Sequence, residues 1–259
     1  MKTKTTPATK IRLKMIRLPV YLARAGIASR REAGRIIKEK RVKLNGKVVD
    51  NPATQVDETN DHVRVDDKLI TKLQPLVYLI LNKPPGVVTT HSDPEGRQTV
   101  FDYIDRVKCR VEPIGRLDYD VTGLLPFTND GQLANKLMRP ASKVQKVYLA
   151  VVRGNVGTDK LKELSKGVVI EGRKSLPATA RIIAKRGNNT HLLITVVEGR
   201  YHHVKNLCEA IGHLPRRLKR VAFGPLTLSD LGVGQFRYLS DREIVKLRRG
   251  DIQCADLAY

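Results

Sequence analysis

Cysteine is scarce in this chain. The three thiols, Cys109, Cys208 and Cys254, lie far apart and are odd in number, and no Cys-x-x-Cys pair exists. Neither a disulfide framework nor a zinc cluster is supported. Reduced thiols point to a cytosol-like, cytoplasmic setting. Long apolar runs are also missing. None approaches the roughly 18 residues that a membrane-spanning helix needs. The best, Leu76-Val-Tyr-Leu-Ile-Leu81, reads as a buried strand. No secretory apolar region stands near the N-terminus. A P-loop and a dinucleotide fingerprint are both absent, which agrees with the expectation of no cofactor.

Acidic residues are sparse, and the first is Glu32. Over 259 residues, 48 Lys and Arg against 26 Asp and Glu leave a formal net charge of +22. Such a balance favours a polyanionic partner, because phosphates attract cations by releasing counterions whatever the base sequence. Hydrophobic residues make up 41% of the chain, enough for a real core. The length suits a large domain plus a small one.

Residues 1–15 form a Thr- and Lys-rich stretch without periodicity, read as a flexible basic arm. A small domain is expected over 16–72. There Leu18, Leu22, Ala25 and Gly26 suggest a short helix with a glycine cap. Ser29 and Glu32 suggest a capping box for a second helix. Ala33, Ile36 and Ile37 form its apolar face, and Arg30, Arg31, Arg35, Lys38 and Lys40 a basic one. Val42 to Val49 carries an Asn-Gly hairpin turn, and His62 to Leu69 reads as a second hairpin. Thr71 to Pro75 is a polar linker, and residues 76–259 form the second domain. Its strand-like runs are Val77 to Leu81, Leu124 to Thr128, Val147 to Val152, Ala178 to Ala184 and Leu192 to Val197. Helical patterns cover Gln132 to Met138, Asp159 to Ser165 and His203 to Ile211. Strands and helices do not alternate strictly, so an α+β fold with a mixed, mainly antiparallel sheet is expected. Pro126 removes a ladder donor and implies an edge position or a bulge.

The run Gly115-Arg-Leu-Asp-Tyr-Asp-Val-Thr-Gly-Leu-Leu125 sets a carboxylate, Asp118, two residues after Arg116. It closely resembles the signature of the pseudouridine synthases related to the small-subunit ribosomal enzyme, which isomerise a uridine inside an RNA chain. Leu81-Asn-Lys-Pro-Pro-Gly86, Lys146-Val-Tyr148 and Glu198-Gly-Arg-Tyr-His-His-Val-Lys205 resemble the family's other segments in the same order. Residues Arg17 to Ile70 resemble an S4 RNA-binding domain. Arg139-Pro140 departs from the His-Pro of many relatives, and Lys205 stands where most have arginine.

The resemblance implies three catalytic residues. Asp118 attacks C1′ of the ribose or removes a sugar proton. Tyr148 stacks on the target base, which must leave its helix to be worked on. Lys205 pairs with Asp118 and favours its charged form, as a point charge and not a planar fork. Arg116 braces the gap that the flipped base leaves, and Arg30, Arg31 and Arg35 contact phosphates. Adjacent His202 and His203 point different ways and lack a carboxylate shell, so no metal is expected. Ribosomal RNA is the expected partner of a monomeric chain. "ARAGIASRREA" and "DPEGRQTVFD" lean toward large-subunit members, "EGRYHHVK" toward the small-subunit one. The rival reading is a non-catalytic RNA-binding or ribosome-assembly factor on the same fold.

Overall fold

The computed structural model describes residues 15–254. The chain divides into two compact units between Pro75 and Leu76. The first contains, in order, β1 (Met15–Arg17), α1 (Leu18–Arg24), α2 (Arg30–Lys38), β2 (Val42–Leu44), β3 (Lys47–Val49), β4 (Gln55–Asp57), β5 (Val63–Val65) and β6 (Lys68–Leu69). The arm expected over 1–15 lies outside the described residues, except for Met15, which opens β1 and pairs with Asp57. Pro19 occupies the first turn of α1, where a missing N–H costs nothing. Gly26 follows the helix at φ 79°.

The Ser29 side chain caps α2 by accepting from the Glu32 N–H at 3.1 Å. The expected capping box is only half made. The Glu32 carboxylate accepts from Arg35, because a guanidinium one turn on is a stronger partner than a neutral amide. Ala33, Ile36 and Ile37 pack into one core with Leu18, Tyr21, Leu22, Val42 and Val63. Asn45 and Gly46, at φ 51° and 81°, turn β2 into β3, and Asp66 and Asp67, at 47° and 62°, turn β5 into β6. Positive φ at both turn positions matches the twist of the paired strands.

The second unit holds β7 (Tyr78–Lys83), β8 (Glu112–Pro113), β9 (Thr122–Thr128), α3 (Gly131–Met138), β10 (Lys146–Arg153), α4 (Thr158–Lys166), β11 (Val169–Ile170), β12 (Arg173–Lys174), β13 (Thr179–Arg186), β14 (Asn189–Val196), α5 (His203–Ala210), β15 (Pro215–Phe223), β16 (Leu226–Thr227), β17 (Phe236–Tyr238) and α6 (Asp241–Arg249). Its large sheet runs β13-β14-β10-β15-β9-β7-β17, with β8 on β9 and β16 on β15. Neighbours are antiparallel except β15 and β9. The fold is therefore α+β with a mixed, mainly antiparallel sheet. One sheet face buries Tyr148, Ala150 and Val152 with Leu164 of α4 and Val204, Leu207 and Cys208 of α5. The other buries Ile80, Leu124 and Phe223 with Leu133 and Leu137 of α3 and Leu247 of α6.

The parallel pair is a seam between two antiparallel halves. Only Lys219↔Thr122 and Arg220↔Gly123 are in register there. Beyond them the strands part, and the buried Arg220 guanidinium donates from Nε to the Leu124 carbonyl at 2.6 Å. Pro126 is not on an edge strand, contrary to the expectation from sequence, nor does β9 bulge against β7, where Pro126 faces Ile80 in unbroken register. It stands between the β15 contact at Gly123 and the β8 contact at Phe127. Just past the end of β8 the Ile114 N–H donates to the Pro126 carbonyl at 2.7 Å.

Gly123 sits at φ 105°, and a Cβ on it would overlap the Arg220 backbone. Gly123→Ala is expected to cost more than about 2 kcal/mol, from left-handed strain and overlap together. Gly34, inside α2 with open space around it, supplies the contrast. Gly34→Ala is expected to stabilise by roughly 0.5–1 kcal/mol. Urea unfolding of both variants checks the pair of signs.

Candidate active site

The site begins with a lysine that cannot reach water. Lys83, the last residue of β7, is 0% exposed. Its ammonium donates to three carbonyls, of Val121 at 2.9 Å, Pro84 at 3.1 Å and Tyr119 at 3.2 Å. It makes no ion pair among the described residues. Burial pushes its pKa down to about 8, while Asp120 and Asp118 nearby push the other way. The loop 115–121 is thus wrapped around a buried cation. Thr89 ties the same loop by donating from Oγ1 to the Leu117 carbonyl at 2.8 Å, and the Gly86 N–H donates to Tyr119 at 2.9 Å. Leu117 and Val121 point into the core. Between these anchors Asp118 turns outward, its side chain 29% exposed.

Helix α5 supplies the cation opposite. Lys205 Nζ lies 3.6 Å from Asp118 Oδ2 and donates to Asp120 Oδ1 at 2.6 Å. The expected Asp118–Lys205 pair is present, but the lysine is shared and its shorter bond goes to Asp120. Burial alone would raise the Asp120 pKa; the hydrogen bond and charge of Lys205, a backbone N–H and the charge of His202 outweigh it and hold the value below the usual range. His202 brings Nε2 to 3.7 Å from Asp118 Oδ2. His203, nearly fully buried, turns instead to Glu198, 3.2 Å away. The two histidines diverge, and among the described residues no cluster of three or more metal-ligating side chains occurs.

Tyr148 is 8% exposed and lies opposite Arg220 and Ile194 in the sheet. It shares one apolar cluster with Leu117 and Val121, which flank Asp118, and with Val204, which precedes Lys205. Arg116 is exposed and makes no ion pair among the described residues. In the small unit Arg30, Arg31 and Arg35 are all exposed. Arg35 is bound to Glu32 and lies 3.7 Å from Glu39, the residue that caps the end of its helix, which leaves Arg30 and Arg31 as the open cations of the three.

Three contributors are hard to find in the sequence. Lys83 looks like part of a proline turn. Asp120 looks like a second surface acid, though its place two residues after Asp118 is a signal. His202 reaches the carboxylate only because it adopts a left-handed φ of 49° at the N-cap of α5.

The description "RNA pseudouridylate synthase" fits residues 77–210, and "S4 domain" fits 16–63. A relative from Aquifex aeolicus, an uncharacterized RNA pseudouridine synthase, is 44% identical over 90% of this chain and 93% of its own. The ribosomal large subunit pseudouridine synthase B of Bacillus subtilis is 40% identical over 90% of this chain and 96% of its own. A crystal structure of a pseudouridylate synthase superposes with a TM-score of 0.65 at 30% identity, covering 90% of this chain and 99% of the other. The chain belongs to the RNA pseudouridylate synthase family. It is a pseudouridine synthase carrying an S4 domain.

Lys83 gives the site a pH signature. Between about 8 and its ordinary 10.5, the unfolded chain keeps a proton that the folded chain has lost. Stability from this group therefore rises with pH across that window, by at most about 1.4 kcal/mol per pH unit. Lys83→Met removes that share. Urea unfolding at pH 7.5, 9 and 10 is expected to show the wild-type advantage over Lys83→Met growing with pH. A constant difference would contradict the assignment.

Proposed function

We propose that this chain isomerises a specific uridine of ribosomal RNA, in the large subunit, acting as a monomer in the cytoplasm. The carboxylate Asp118, flanked by buried anchors and facing the Lys205 cation that it shares with Asp120, carries the reading. The large-subunit enzyme of Bacillus subtilis, 40% identical over nearly its whole length, supports the choice of RNA.

The chemistry sets four tasks. The target base must leave its helix. The N1–C1′ bond must break, the uracil must rotate while held, and C5 must bond C1′ as the C5 proton leaves and N1 gains one. Asp118 acts at the sugar, as nucleophile on C1′ or as base on a sugar proton; both roles need an ionised, aimed carboxylate. Lys205 aims it from α5 while Asp120 fixes Lys205. Tyr148 offers the ring against which the freed uracil is held, and stacking of this kind is worth about 1–3 kcal/mol per base. Arg116, exposed beside the carboxylate, fills the place the base has left. Arg30 and Arg31 hold backbone phosphates.

Mapping pseudouridines in ribosomal RNA from cells lacking this chain, then from cells given it back, tests the reading. One large-subunit uridine is expected to lose and regain modification, and Asp118→Asn is expected not to restore it. Restoration by Asp118→Asn would overturn the catalytic assignment. For the pair, Lys205→Met is expected to lower the single-turnover rate at saturating enzyme far more than RNA affinity, with Lys205→Arg tolerated. A Lys205→Met rate within about twofold of wild type, under roughly 0.5 kcal/mol, would leave the pair without a role.

The small unit is expected to bind through charge. Replacing Arg30 and Arg31 by glutamine should flatten the slope of log affinity against log salt by roughly one to two. Adding Arg35→Gln should change it less, because that charge is already partnered. An unchanged slope would mean that this face is only solvated.

A further inference from the structure

Beside Asp118 stands an aromatic surface that the steps above do not use. Tyr201 is 69% exposed, the most exposed large hydrophobic side chain among the described residues. Its ring stacks on His202 with centroids 3.8 Å apart and planes 20° from parallel. One face of Tyr201 is therefore covered, while the side chain as a whole remains largely open to solvent. Three hydrogen bonds tie the segment around it. Arg200 Nη2 donates to Glu198 at 3.3 Å, the His203 N–H donates to the Arg200 carbonyl at 3.2 Å, and Asn206 donates from Nδ2 to the Tyr201 carbonyl at 3.4 Å. His202 holds a left-handed φ of 49°, a strained conformation for a non-glycine residue. That strain turns the imidazole toward Asp118, with Nε2 3.7 Å from Oδ2, and sets Tyr201 on its outer side.

An exposed ring backed by another ring is what a nucleobase needs for stacking. The stack rises from the residue that touches the catalytic carboxylate. One further ring spacing of 3.8 Å is close to the step of about 3.4 Å between stacked bases. We propose that Tyr201, supported by His202, is a subsite for the nucleobase adjacent to the target uridine, occupied while that uridine is flipped toward Asp118. The inference rests on the functional reading above. Once the target leaves the stack, its neighbour loses a stacking partner, and Tyr201 replaces it. The subsite takes any flat base, since stacking is tolerant of base identity, and it adds affinity for single-stranded or opened RNA over closed duplex.

The test uses the full-length chain and a large-subunit RNA fragment centred on the mapped uridine. Three versions are compared: intact, and abasic at the nucleotide on either side of the target. Affinity is read by fluorescence anisotropy for wild type, Tyr201→Ala and Tyr201→Phe. Tyr201→Ala is expected to weaken binding of intact RNA by roughly 5- to 150-fold, the span that corresponds to one stacked base. With one of the two abasic fragments the same substitution should change affinity by less than about twofold. Tyr201→Phe keeps the ring and should bind intact RNA nearly as wild type does. Equal losses on intact RNA and on both abasic fragments would overturn the proposal and make Tyr201 a contact to the RNA backbone. So would no loss on intact RNA, which would leave the exposed ring for another class of partner. If the wild-type chain modifies no ribosomal uridine, the functional reading fails first. If it does, and the abasic comparison is flat, this inference fails alone.

Discussion

Burying an ammonium group without a carboxylate against it is costly, and a protein tolerates it only where carbonyl dipoles replace the lost water. Lys83 meets that condition with three carbonyls, of Pro84, Tyr119 and Val121. Two of them belong to the loop that bears Asp118. Neither carbonyl can turn away without leaving the ammonium short of a partner, so the loop has little freedom. Leu117 and Val121 must then face the core, and Asp118 must face out. The position of the proposed catalytic carboxylate is in this sense set from beneath by a lysine that does not contact it.

The second constraint is the seam. Lys83 and Asp118 belong to the half-sheet of β7 and β9, while Tyr148 and Lys205 belong to the side built from β10, β14, β15 and α5. The halves meet through two residue pairs in parallel register, the close approach at Gly123, and the Arg220 guanidinium. Side chains of both halves pack into one apolar core, and the site sits where they meet. The pairing of Lys205 with Asp118 and Asp120 spans this line. Electrostatic attraction there both closes the seam and aims the carboxylate, which ties the fold to the chemistry.

Much of the scaffold was legible because its signals are local. The Asn45-Gly46 turn, the Ser29 cap and the apolar spacing of α2 each act within a few residues. The strands around Val77 to Leu81 and Val147 to Val152 are short apolar runs that need no partner to be seen. β15 is harder to see. It opens on Pro215, and Arg216, Arg217, Lys219 and Arg220 interrupt its apolar pattern; only the finished sheet shows that Arg220 is buried in a ladder gap. α6 carries a full Ser240–Glu243 capping box and a Gly250 cap, both plain in the sequence. Yet it buries only Leu247 fully, so no apolar stripe announces it. In the site, Asp118, Tyr148 and Lys205 stand in ordered motifs. Lys83, Asp120 and His202 lie in the same motifs, but their contributions depend on burial, on a shared cation and on a left-handed turn, none of which spacing reveals.

The central claim is that this arrangement moves the glycosidic bond of a uridine from N1 to C5. That exchange must expel the hydrogen on C5, whichever way Asp118 acts. The most direct measurement is release of tritium into water from ribosomal RNA labelled at C5 of uridine. Wild-type protein is expected to release the equivalent of one uridine per RNA molecule and then stop, and Asp118→Asn is expected to release none. Tritium release by Asp118→Asn at the wild-type rate, or no release by the wild type from any ribosomal RNA, would contradict the account.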